Sequence, residues 1–190
     1  MKLLRIDKKD GGRYLKKYEL VYENKSGREK KYEIVSHHEI DSPADLGNST
    51  SGISMAVLKD GKLLLLKEFR MGINKEIYNL CAGMIEPGET IEDCIRRELY
   101  EETGLQLKRI IDILNPSFAA VAISDIRTQI VVLEAEGNIE DHTSENEKIQ
   151  AAFYTKEECR QLLDTAEFSS RCQVMVYFFT KNAFELLDNS

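Results

Sequence analysis

Between Gly83 and Leu105 the chain reads GMIEPGETIEDCIRRELYEETGL, and this stretch has little choice of conformation. Pro87-Gly88 sets a turn. Thr90 stands where a helix N-cap belongs, with Asp93 three residues on in capping-box spacing. Ile91, Cys94, Ile95 and Leu99 then recur on one apolar face. Gly104 supplies the left-handed residue that ends a helix. The spacing predicts a loop, a helix of about three turns and a second loop.

Glu98 and Glu102 are four residues apart, so their carboxylates lie one above the other on that helix, and Glu101 flanks the same patch. Carboxylates packed this closely repel one another unless a cation neutralises them. A divalent ion held there could bind a pyrophosphate, polarise a P–O bond and activate a water. Mg²⁺ suits oxygen ligands and substrate phosphates, with Mn²⁺ as a substitute. A solvated acidic helix face is the common explanation for a charge run, but it demands neither fixed glycines nor a particular order.

The chain has 190 residues, a net charge of −7 and 42% hydrophobic residues. That length fits one domain, or one domain with a small appendage. The acidic balance argues against general affinity for nucleic acid or an anionic membrane. No apolar run approaches the roughly 20 residues of a membrane span. The N-terminus turns charged after Leu4, so no signal-peptide apolar region is expected. Cys81, Cys94, Cys159 and Cys172 are widely spaced, which reads as reduced, buried thiols in a cytoplasmic protein, and the three His offer no zinc spacing. His37 and His38 are expected on a strand, pointing to opposite faces.

Residues 16–36 alternate apolar and polar around Lys25-Ser26-Gly27 and read as an antiparallel hairpin. Ser42–Gly52 is the best linker candidate. Ile53–Leu58 and Lys62–Phe69 flank Asp60-Gly61, a strong hairpin signal. The continuous apolar run Leu63–Leu66 predicts a strand buried on both faces. Further strands are expected over Glu76–Leu80, Ile110–Leu114, Thr128–Ala135 and Glu147–Tyr154, with helices over Lys156–Thr165 and Ser170–Leu187. The pattern is α+β.

The order of residues in the acidic segment is G-x5-E-x7-R-E-U-x-E-E-x-G-U, where U is aliphatic. Gly83, Glu89, Arg97, Glu98, Leu99, Glu101, Glu102, Gly104 and Leu105 fill every position. Chance would produce this on the order of once in ten million chains. The segment resembles the Nudix box. The resemblance implies an α/β/α sandwich with mixed sheets, with the box as its loop–helix–loop. It also implies Glu98 and Glu102 as principal metal ligands, Glu101 serving an additional metal, and the carbonyl of Ala82 completing the coordination. Gly83, Glu89, Arg97 and Gly104 take structural roles, with Arg97 and Glu89 paired to hold the loop against the helix.

The flanks LLLLKEFR and IYNLCAGMIEPGE resemble the ADP-ribose pyrophosphatase branch, as does an N-terminal β segment before the main domain. That implies residues 1–45 as a small antiparallel dimerisation domain and residues 46–190 as the Nudix hydrolase domain, giving a homodimer. It also implies a catalytic base in a loop after the box. Here Glu145 is the first candidate and Glu147 the second; a merely acidic surface loop explains the same residues. Arg70 matches an arginine that contacts substrate, and its guanidinium could clamp a phosphate; pairing with a carboxylate at a strand end is the structural alternative. Tyr32 or Tyr18 could stack on an adenine, or could simply pack in the sheet.

The chain departs from that branch at several positions. Ala120 stands where a proline is expected, Asn79 and Cys81 replace a glutamate and a proline, and Tyr32 and His37 occupy positions that often hold arginine. These lie where sugar or base would bind, not where phosphate chemistry occurs. The expected activity is therefore Mg²⁺-dependent hydrolysis of a nucleoside diphosphate sugar, with ADP-ribose, cleaved to AMP and ribose 5-phosphate, leading. GDP-mannose, UDP-glucose and a non-catalytic nucleotide-sugar sensor are the alternatives.

Overall fold

The computed structural model describes residues 1–186. It divides into two compact units: residues 1–52 with 116–129, and residues 53–115 with 130–190.

The first unit is built on a three-stranded antiparallel sheet in the order β1 (Lys2–Lys9), β2 (Lys16–Glu23), β3 (Glu29–Ser36). The expected hairpin is β2–β3, closed by the Asn24 side chain accepting from the backbone N–H of Ser26 and Arg28, with Gly27 at φ 76°. The sequence pattern missed β1. Its register slips between Leu3 and Arg5, which breaks the period-two alternation that marks a strand. Tyr18, fully buried, anchors a small core with Leu20, Ile34 and Ile40; its hydroxyl donates to Glu39 and accepts from the Ile40 amide. His37 and His38 fall in the bend after β3, not on a strand, and His38 Nε2 lies 3.1 Å from Ser51 Oγ. The expected linker is ordered: a short 3₁₀ turn at Pro43–Asp45 carries a Ser42/Asp45 capping box, and β4 (Thr50–Lys59) already begins inside it.

The second unit is an α/β/α sandwich. Its sheet runs β11 (Ile149–Tyr154), β5 (Lys62–Arg70), β4, β10 (Arg127–Glu136), β8 (Gln106–Ile113), with β6 (Lys75–Asn79) on β5, β7 (Cys81–Met84) on β4 and the short β9 (Ser117–Phe118) on β10. Asp60 and Gly61 both take positive φ, 50° and 70°, giving the tight turn expected between β4 and β5. Leu63–Leu66 are all fully buried, and they divide by parity. Leu64 and Leu66 pack with Cys94, Ile95 and Leu99 of α1 (Ile91–Thr103). Leu63 and Leu65 pack with residues of α2 (Lys156–Thr165) and α3 (Ser170–Thr180) on the other face. Helices on both faces explain why this strand shows no polar side.

α3 ends at Thr180, short of the expected Leu187; a 3₁₀ turn follows at Ala183–Leu186, and Leu187 lies outside the described residues. All four cysteines are buried free thiols. Among the described residues no helix is long and apolar enough to cross a membrane.

Candidate active site

Helix α1 forms as its sequence requires. Thr90 Oγ1 accepts from the Asp93 amide at 3.1 Å, and Gly104 takes φ 73° at the C-terminal end. The apolar face is buried, and Glu98 and Glu102 lie part-buried at its margin. A cavity of about 480 Å³ opens beside them, and its walls include Glu68, Arg70, Ala82, Glu98, Glu102 and Glu147. β5 supplies the first two, β7 supplies Ala82, α1 supplies the next two, and the loop before β11 supplies Glu147.

Arg97 organises the segment. Its Nε and Nη2 hold the two oxygens of Glu89 at 2.8 and 2.9 Å, and Nη2 also donates to the carbonyl of Met84 at 2.9 Å. The expected pairing of Arg97 with Glu89 is therefore present, and it ties the loop to the helix. Its guanidinium draws the Glu89 carboxyl down to about 2. Nη1 reaches Glu98 at 2.6 Å and Glu101 at 3.2 Å.

Glu98 packs over Gly83: a Cβ at residue 83 would collide with its Cγ, Cδ and Oε1. Glu102 lies deeper and accepts from the Ala82 amide at 3.1 Å. Burial pushes its carboxyl up to about 8, with Glu98 and Glu68 adding repulsion against the Cys81 and Ala82 hydrogen bonds. Burial also raises Glu98. Among the described residues no three acidic, His or Cys side chains already converge as a metal cage. Arg97 and the Ala82 amide hold the carboxylates instead.

The donor set is nonetheless all oxygen and carries surplus negative charge in a partly buried wall. That chemistry fits a hard divalent cation. Glu101 is more exposed than its neighbours and is not among the cavity-lining residues.

The loop after β10 brings Glu147, not Glu145, into the cavity wall. Glu147 accepts from the backbone and hydroxyl of Ser144 at 3.2 and 2.9 Å; both glutamates are exposed, and Glu145 does not line the cavity. The loop is anchored where the helix ends. The Glu140 amide donates to the carbonyl of Thr103, a Cβ at Gly104 would meet Glu140 at 2.8 Å, and His142 stacks on Tyr100 at 4.6 Å. Tyr32 belongs to the first unit, where it is 40% exposed and its hydroxyl donates to the carbonyl of Ala122 at 2.6 Å. Sequence reading missed Glu68, Asn146 and Lys148 among the cavity residues. For Glu68 a signal existed, since period two places it on the face of Leu64 and Leu66.

A model of the NUDIX domain matches residues 49–174, and the chain belongs to the Nudix hydrolase family. Among curated relatives, it is 30% identical over 118 residues to the ADP-ribose pyrophosphatase of Bacillus subtilis, covering 60% of this chain and 62% of that protein. It is 29% identical over 117 residues to the ADP-ribose pyrophosphatase of Escherichia coli K12, covering 60% and 56%. A shorter match, 43% over 58 residues, covers 30% of this chain and 22% of the NAD-capped RNA hydrolase NudC of Vibrio parahaemolyticus. The matches thus span less than two thirds of these relatives' own length. A solved structure described as an ADP compounds hydrolase shares the fold, with a TM-score of 0.72 at 20% identity, covering 96% of this chain and 93% of that one.

Proposed function

We propose that the chain hydrolyses the pyrophosphate bond of a nucleoside diphosphate sugar in a divalent-metal-dependent reaction, with ADP-ribose, giving AMP and ribose 5-phosphate, as the leading substrate. The observation that carries this reading is the cavity itself. It sets two glutamates of α1, Glu98 and Glu102, among the same lining residues as Arg70 and Glu147. The similarity to ADP-ribose pyrophosphatases supports the substrate class.

In this reading Glu98 and Glu102 hold the cation, Mg²⁺ or Mn²⁺, with Glu101 and the Ala82 carbonyl as further donors. Bound there, the cation supplies charge neutralisation and polarisation of the phosphate oxygens. Arg70 binds a phosphate oxygen and orients the diphosphate. A carboxylate of the loop, Glu147 or Glu145, takes the proton of the attacking water. The water oxygen bonds to one phosphorus, and the bridging P–O bond breaks with its electron pair leaving on the departing phosphate. Gly83, Glu89, Arg97 and Gly104 keep the loops and helix in register. Residues 1–45 act as a dimerisation domain ahead of the Nudix domain at 46–190, with Tyr32 contributing to substrate binding.

The test is AMP release from ADP-ribose with and without Mg²⁺, in wild type and Glu102→Gln, alongside GDP-mannose and UDP-glucose. Metal-dependent release that the variant loses is the expected result. Absence of hydrolysis of every nucleotide sugar overturns the reading.

A further inference from the structure

Glu68 is a buried carboxylate in the cavity wall to which the mechanism above gives no work. It is 6% exposed, and it lies on β5 at the parity of Leu64 and Leu66, which face α1. Its partners are specific. Oε1 accepts from Asn79 Nδ2 at 2.7 Å and lies 3.5 Å from Arg70 Nη1.

Asn79 is itself fixed in direction. Ser169, the N-cap of α3, donates its hydroxyl to Asn79 Oδ1 at 2.5 Å. With the amide oxygen committed to Ser169, only the NH₂ end faces Glu68. The chain of donors therefore runs Ser169 to Asn79 to Glu68 and ends on the carboxylate of a residue that lines the cavity.

Among the described residues Glu68 has no close counter-ion of its own, because the guanidinium of Arg97 is taken up by Glu89, Glu98 and Glu101. Glu98 and Glu102 line the same cavity. Arg70 is 58% exposed and its contact with Glu68 is long. The ammonium of Lys148 is engaged by Glu76 at 2.7 Å. A buried carboxylate with one neutral donor and one loose cation is costly unless a further cation compensates it.

We propose that Glu68 is a further oxygen ligand of the divalent cation, directly or through a bound water, with Asn79 and Ser169 as its positioning pair. This rests on the metal-dependent reading above. Glu98 and Glu102 come from the helix and Glu68 from the sheet, so the ion is held between two elements.

The test is Mn²⁺ binding to the full chain without substrate, read from the free-ion signal in electron paramagnetic resonance, for wild type, Glu98→Gln, Glu68→Gln and Glu68→Asp. Glutamine keeps an oxygen for the Asn79 bond, so Glu68→Gln is expected to fold, checked by circular dichroism. Both Glu98→Gln and Glu68→Gln are expected to weaken Mn²⁺ binding by about tenfold or more. If Glu68→Gln does not fold, Glu68→Asp, with its carboxylate withdrawn by one methylene, is expected to show the same loss. Wild-type affinity in whichever folded Glu68 variant is measured, beside a weakened Glu98→Gln, overturns the role of Glu68 and leaves the metal centre standing. No Mn²⁺ binding by the wild type, or no effect of Glu98→Gln, overturns the metal reading itself and the proposal with it.

Discussion

The carboxyl group of Glu98 occupies the space in which a side chain on Gly83 would begin. The glycine leads out of β7 and the glutamate sits on α1, so the packing of strand against helix places a proposed metal ligand. Gly83→Ala must displace the Glu98 side chain, which is flexible at its far end, so the fold is expected to survive with a loss of about 1 kcal/mol. The proposed chemistry is less forgiving, because a shift near 1 Å in a reacting group costs about 100-fold. Steady-state hydrolysis of ADP-ribose beside a thermal melt separates the two effects; an alanine variant with wild-type kcat/KM removes the constraint.

Arg97 leads to a stability prediction. It ties Glu89, Met84, Glu98 and Glu101 through one guanidinium, and its bidentate hold on Glu89 is mostly buried on the glutamate side. Lysine keeps the charge but cannot reproduce the fork. Arg97→Lys is expected to lose about 1–3 kcal/mol in urea unfolding. Glu89→Gln should cost about the same, and the double variant little more than either alone.

This segment was legible in the sequence because its determinants are local: a cap, an apolar period, a terminal glycine and a fixed order of carboxylates. The hairpin at Asp60-Gly61 and the sandwich strand Leu63–Leu66 were legible for the same reason. What escaped depends on partners distant in the chain. β1 hides behind its bulge. β8 begins at Gln106, four residues before the expected Ile110, because its first turn-proximal residues carry only Leu107 as a buried apolar group. α3 stops at Thr180 although apolar residues continue. The period of β5 placed Glu68 on the face of Leu64 and Leu66, but its partners Asn79 and Ser169 come from β6 and the start of α3, which no local pattern joins to it.

The proposed metal role couples metal removal and pH through Glu102. Burial raises its carboxyl to about 8 from an ordinary 4.5. Between those values the folded chain holds a proton that the unfolded chain has released, so stability must fall as pH rises across that window. Each pH unit is worth up to about 1.4 kcal/mol. In chelator, the melting temperature is expected to decline from about pH 5 to about pH 8. Glu102→Gln, which has no proton to lose, should flatten the decline, and saturating Mg²⁺ should oppose it by stabilising the ionised form. A melting temperature that rises across the same interval in chelator contradicts the burial argument.

The identity of the proposed base turns on one geometric difference within the acidic loop. Glu147 lines the cavity and Glu145 does not, although the family resemblance put Glu145 first. Glu147 is held by Ser144 through two hydrogen bonds, which it must give up to accept a proton from water. A general base contributes about 10²–10⁴-fold. Glu147→Gln is therefore expected to lower kcat by at least about 100-fold with little change in KM. Glu145→Gln should stay within about threefold of wild type. The loop is anchored at Glu140 and His142, on the far side of this pair from β11, so both variants keep the same attachment to α1. If the larger loss falls on Glu145, the loop must close by more than a local shift, carrying Glu145 inward when substrate binds. Single-turnover rates for the two variants, measured at saturating metal, decide between the residues without interference from product release.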